Sequence, residues 1–151
     1  MLFSDIVGHE DIKNKLIQSV RDNRVAHAQL FLGPEGSGKL ALAIAYAQYI
    51  NCSNKQENDS CGQCPSCRKY NALAHPDLHF IFPNTTNKSI KKDPESKLFI
   101  TEWREYLEKC EAYADLASWY SALDVENKQG AINVRDAMTI INKLNLKAYE
   151  A

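Results

Sequence analysis

The sequence is short of several things, and each shortage removes a class of function. It lacks a charge surplus: 18 Lys and Arg face 19 Asp and Glu, a formal net charge of −1. A chain so balanced has no bulk attraction for nucleic acid or an anionic membrane, so such contacts must come from a local patch or from neighbouring subunits. It lacks a long apolar run, and nothing approaches the roughly 20 residues of a membrane-crossing helix. The opening, Met1 to Glu10, carries Asp5 and Glu10 and no uninterrupted apolar core, unlike a secretory leader. No internal repeat is visible. The 151 residues suit one domain with a real core. These absences predict a cytoplasmic protein without membrane contact.

What is present is concentrated in two places. Four of the five cysteines, Cys52, Cys61, Cys64 and Cys67, fall within sixteen residues, and Cys110 stands alone. In a reducing compartment such clustering points to metal rather than to disulfides. The spacing C-x8-C-x2-C-x2-C supplies four thiolates, the full set for a closed tetrahedral zinc site, and Gly62 and Pro65 suit the tight turns it needs. With no open coordination position, the zinc is expected to be structural. A disulfide pairing and an iron–sulfur cluster are the competing readings; the second lacks a supporting motif. His75 and His79 are weighed as replacement ligands and read as ordinary loop and strand residues. Cys110, on the apolar face of its helix, reads as a small buried hydrophobe.

The second concentration is Gly33-Pro34-Glu35-Gly36-Ser37-Gly38-Lys39. It follows the apolar run His27 to Gly33, which reads as a buried strand, and precedes a helix expected from Leu40 to Ile50. G-x4-G-K in that setting is the phosphate-binding part of a P-loop. Glycines let successive N–H groups turn toward phosphate oxygens, the helix offers its positive end, and Lys39 brings an ammonium. Gly33, Gly36, Ser37, Gly38 and Lys39 are therefore the candidate nucleotide-binding residues. The following residue should carry a hydroxyl for Mg²⁺, and here it is Leu40, which cannot ligate a cation that wants oxygen. Phosphate binding and Mg²⁺-assisted hydrolysis thus part company in this loop, and no catalytic residue is assigned.

Elsewhere the periodicity predicts helices over 10–23, 66–74, 101–115 and from Val134 to about Asn145. It predicts a strand over 78–82 and loops over 85–96 and 118–130. In the last helix Val134, Ala137, Met138, Ile141 and Leu144 share one face.

A P-loop followed at once by a four-cysteine knuckle resembles the AAA+ module of the bacterial replicative clamp loader of DNA polymerase III, shared by its gamma/tau and delta-prime subunits. Ile6-Val7-Gly8-His9 is similar to that family's opening, and Val25-Ala26-His27-Ala28 to its segment before the P-loop strand. Asn51-Cys52, Cys61-Gly62-Gln63-Cys64-Pro65-Ser66-Cys67 and Ile132-x-Val134-Arg135 extend the likeness. It covers most of the chain except about 85–129, which reads as an insertion atypical of the family. The knuckle insertion itself spans 52–67.

The resemblance implies an α/β fold: a three-layer αβα parallel sheet, here truncated, with residues 1–151 as the N-terminal part of an AAA+ P-loop domain. It implies a structural zinc and a nucleotide site whose Mg²⁺ partner Leu40 has removed. Implied partners are the other clamp-loader subunits, gamma/tau and delta, with the sliding clamp and primed DNA reached through the complex. Leu40 and His75-Pro76-Asp77-Leu78 favour delta-prime, the stator that does not hydrolyse ATP, over a hydrolysing gamma/tau motor. The family continues into acidic Walker B, sensor and Ser-Arg-Cys residues, so this chain is expected to be a fragment. A small-molecule kinase with a zinc lid would need an acceptor site that is not visible. A zinc module that binds DNA directly would need more than Arg68 and Lys69 beside the knuckle.

Overall fold

In the computed structural model, residues 1–125 and 127–144 are described, and they divide into two units. The first, Met1–Leu78, is built around one buried helix. That helix, α2 (Lys39–Asn51), is apolar nearly all round, and its Ala41, Leu42, Ile44, Ala45, Tyr46 and Tyr49 are all buried. A helix without a polar face has to be covered on several sides. α1 (Glu10–Arg21) covers it with Leu16 and Ile17; its Lys13 is buried as well and donates to the Ile6 carbonyl, while most of its other polar residues face water. α3 (Pro65–Asn71) covers another side, tied by the Asn51 amide donating to the Tyr70 hydroxyl at 2.8 Å. A 3₁₀ turn at Phe3–Asp5 places the Phe3 ring 5.9 Å from that of Tyr49.

The second unit starts at His79 and is organised by aromatic rings. Phe82 stacks on Trp103 at 4.2 Å, and Trp119 meets both rings edge-on at 5.2 and 4.8 Å. Such pairs add to their area burial about 0.5–1.5 kcal/mol each. Trp103 lies on α4 (Ile100–Lys109), which follows a 3₁₀ turn at Ser96–Phe99, and Trp119 lies on α5 (Leu116–Ala122). α6 (Val134–Leu144) closes the unit in an unusual way. Its buried residue is Asp136, whose carboxylate accepts from the Ser96 N–H at 2.8 Å and the Asn84 amide at 2.9 Å. The face holding Val134, Met138, Ile141 and Leu144 is exposed.

The expected parallel sheet is not found. Among the described residues there is no strand, only one isolated antiparallel bridge between Asn84 and Ala131. A strand is a property of pairs: without a neighbouring ladder, an apolar run has no partner for its N–H and C=O groups. In 27–33, Leu30 and Leu32 are 80% and 82% exposed, where a central parallel strand would bury both faces. In 78–82, Phe82 and Phe80 go instead to the Trp103 ring.

The helix expected over 101–115 stops at Lys109, because Glu111 and Ala112 both turn left-handed (φ 50° and 60°). The expected end of the last helix near Asn145 lies outside the described residues. None of the helices found is long and apolar enough to cross a membrane.

Candidate metal centre and phosphate loop

The cysteine site is assembled by three short pieces of chain. Cys52 stands at the C-terminal end of α2, Cys61 and Cys64 on a turn, and Cys67 in the first turns of α3. Gly62 takes φ 69°, a left-handed conformation that permits the turn between Cys61 and Cys64. Pro65 occupies the first position of α3, where its missing N–H costs nothing, and Cys64 caps that helix by accepting from the Cys67 N–H.

All four sulfurs lie within 4.8 Å of one another. Sγ of Cys61 is 3.6 Å from that of Cys52 and 4.0 Å from that of Cys67. A tetrahedral cation with Zn–S bonds of about 2.3 Å would set the sulfurs about 3.8 Å apart. The four thiols are free, and their donor set can hold a metal ion.

Their protonation supports this use. Cys61 is drawn below the usual thiol range by the N–H groups of Gln63 and Cys64. At Cys64 burial works upward, but the Cys67 N–H and the Ser53 hydroxyl and N–H outweigh it and bring the thiol down to about 6. Cys52 is pushed up by burial, and Cys67 by burial and by the Cys64 and Cys52 sulfurs beside it. Without a cation, four crowded sulfurs hold their protons unevenly in this way. A divalent ion removes the mutual repulsion and lets all four ionise.

The knuckle is also braced from outside. The Asp59 carboxylate accepts from the N–H groups of Phe3 (3.0 Å), Ser4 (2.9 Å) and Ser60 (2.8 Å). The Lys55 ammonium donates to the Cys52 carbonyl at 2.8 Å, and the Arg21 guanidinium donates to the Glu57 carbonyl.

His75 does not belong to this set. It is buried, stacks on Tyr70 at 4.4 Å, and its Nδ1 accepts the Asp77 N–H at 3.1 Å. His79 lies outside the sulfur cluster too. Cys110 is half-buried at the end of α4, its thiol raised by burial and directed to the Leu107 carbonyl.

The loop expected to bind phosphate lies at the other end of α2. Gly36 and Gly38 take φ 71° and 74°, and the helix begins at Lys39 with no side chain capping it. At Gly33 an added Cβ would meet the Ser37 hydroxyl at 2.9 Å, so the loop closes tightly there. The Lys39 ammonium folds back to donate to the Pro34 carbonyl and lies 3.4 Å from the Ser37 hydroxyl. Leu40 is half-buried and brings no oxygen. Beside the loop is a cleft of about 250 Å³ lined by His9, Gln29, Leu30, Ser37, Lys39 and Leu42. The contact that sequence reasoning missed is His9, whose ring Nε2 is 2.8 Å from the Ser37 carbonyl oxygen. No spacing rule links two residues so far apart in sequence.

These features can be set against known proteins. Residues 8–151 match the family model described as DNA polymerase III, delta subunit. Among curated relatives, DNA polymerase III subunit tau/gamma of Haemophilus influenzae is 39% identical over 66 residues, 44% of this chain and 10% of that protein. DNA polymerase III subunit delta' of Pseudomonas aeruginosa is 38% identical over 68 residues, 45% of this chain and 21% of that protein. The delta' subunit of Bacillus subtilis is 36% identical over 77 residues, 51% of this chain and 22% of that protein. The chain thus spans about a tenth to a fifth of the length of these relatives. No solved structure matches. With nearly its whole length on the family model, and with relatives of both subunit types, the chain belongs to the DNA polymerase III delta-type family of clamp-loader subunits.

Proposed function

We propose that this chain is the N-terminal AAA+ part of a delta-prime-like stator, which helps a clamp loader place a sliding clamp on primed DNA. Leu40 carries the reading. It stands directly after the loop lysine, where a motor subunit needs a hydroxyl on Mg²⁺. Residues 33–39 are a phosphate seat on this reading, and ATP hydrolysis by the chain itself is absent. The four cysteines hold a structural zinc that ties α2 to α3 and, through Asp59, to the 3₁₀ turn at Phe3–Asp5. Residues from about 85 to 129 are an insertion atypical of the family. The partners are the gamma/tau and delta subunits, and the compartment is the cytoplasm.

A second reading, a hydrolysing gamma/tau-type ATPase, has one observation in its favour: the tau/gamma relative is as similar as the delta' ones. A fluorescent-ATP titration of the full-length protein, with and without Mg²⁺ and beside Lys39→Ala, separates the two. The stator reading expects no turnover and no gain in affinity from Mg²⁺. Tight Mg²⁺-dependent binding with turnover replaces it by the motor reading.

A further inference from the structure

His9 caps α1 at its N-terminal end with a backbone φ of 60°, in the left-handed region that few residues other than glycine adopt. Gly8 before it, at φ 72°, meets no such obstacle. The unusual backbone sends the imidazole 28 positions along the chain, to within 2.8 Å of the Ser37 carbonyl oxygen. A carbonyl only accepts, so Nε2 carries the proton and donates.

Peptide planarity carries this contact into the phosphate loop. None of the described peptide bonds is cis, and in a trans peptide the C=O and the following N–H point to opposite sides. With the Ser37 carbonyl turned to His9, the Gly38 N–H is turned the other way. Gly38 is buried at the head of α2, where no side chain caps the helix. The Lys39 ammonium, resting on the Pro34 carbonyl, must swing to reach an anion. The peptide that His9 holds is already set.

We infer that His9 is a positioning residue of the phosphate seat, fixing the Ser37–Gly38 peptide so that its N–H meets an oxygen of a polyphosphate chain bound without a divalent cation. The ligand class is a pyrophosphate or the phosphate chain of a nucleotide, and Leu40 leaves the metal out. The inference rests on reading 33–39 as a phosphate seat.

Calorimetric titration of the full-length protein with pyrophosphate, without Mg²⁺, tests it, with a thermal melt of each variant alongside. Lys39→Ala is expected to abolish binding. His9→Ala weakens it about fivefold, the worth of one ordinary hydrogen bond. His9→Gln, whose amide N–H reaches for the same carbonyl, restores most of the loss. If Lys39→Ala abolishes binding and His9→Ala does not weaken it, the role of His9 is overturned and the phosphate seat stands. If both His9 variants weaken binding equally and melt lower, His9 is only a structural residue and the inference fails. If the wild-type protein takes no pyrophosphate, the seat itself is lost and the inference goes with it.

Discussion

The two ends of α2 have met different fates. At its C-terminal end the cysteine knuckle keeps all of its donors: four sulfurs within 4.8 Å, N–H groups aimed at them, and a brace through Asp59. At its N-terminal end the phosphate loop keeps its glycines and its lysine and has Leu40 in place of a hydroxyl. One helix thus carries a full set of four sulfur donors at one end and, on the proposed reading, a nucleotide site short of one ligand at the other. A structural cation contributes to folding itself, so losing one ligand undoes the fold around it. A nucleotide bound at a helix end contributes to turnover, and its site can lose a ligand while the helix stays intact.

The largest expected effect follows directly. Cys67→Ser should abolish metal retention, read by elemental analysis, and should lower the melting temperature by about 10 °C or more, given what structural zinc supplies. Retention of a full metal equivalent would mean that the four sulfurs are not the ligand set.

Next comes reactivity in the metal-stripped protein. With its thiol down to about 6, Cys64 should take iodoacetamide at pH 7 well ahead of Cys52 and Cys67, whose thiols are raised. The depressed group contributes stability above the ordinary thiol range and loses that contribution as the pH falls through about 6. Labelling at pH 5 should therefore be roughly tenfold slower than at pH 7. Reloading with zinc should suppress it at both.

On the other side of the comparison, Leu40→Thr returns an oxygen to the loop. It is expected to raise nucleotide affinity with Mg²⁺ by up to about tenfold and to leave affinity without Mg²⁺ unchanged. No gain would show that more than the hydroxyl has been lost. The smallest effects come from a matched pair, Gly36→Ala and Gly62→Ala. Both glycines are left-handed, at φ 71° and 69°, and neither lacks room for a methyl group. Each change should cost about 1 kcal/mol by denaturant unfolding. Only Gly62→Ala should loosen the metal, and only Gly36→Ala should weaken pyrophosphate.

How far the sequence could be read depended on how local each feature is. α1, α2 and α3 fall within about three residues of their expected bounds, because their periodicity and breakers are local. The sulfur cluster was legible for the same reason, since its last three ligands sit on one short turn and helix. α5 went unread as a helix, although Asp115 caps it through the Ser118 N–H at 2.9 Å and Leu116, Trp119, Tyr120 and Leu123 repeat at helical spacing. The polar loop that follows hid the signal. The strands were misread because apolar runs suggest pairing without supplying a partner. The His9–Ser37 contact joins residues that only the fold brings together.

The burial of Asp136 has a consequence for how α6 is aimed. Most amphipathic helices are turned toward their neighbours by the apolar stripe they bury, and a modest rotation loses only part of that contact. α6 is instead held at its first turn by two hydrogen bonds to one carboxylate, and the Asn133 side chain accepts the Asp136 N–H at 3.0 Å. Hydrogen bonds fail over a fraction of an ångström or a few tens of degrees. The rotational setting of α6 is therefore defined more steeply than an apolar stripe would define it, and the Arg135 ion pairs with Asp93 and Glu95 act on the same turn. Val134, Met138, Ile141 and Leu144 take their exposed direction from that seated carboxylate.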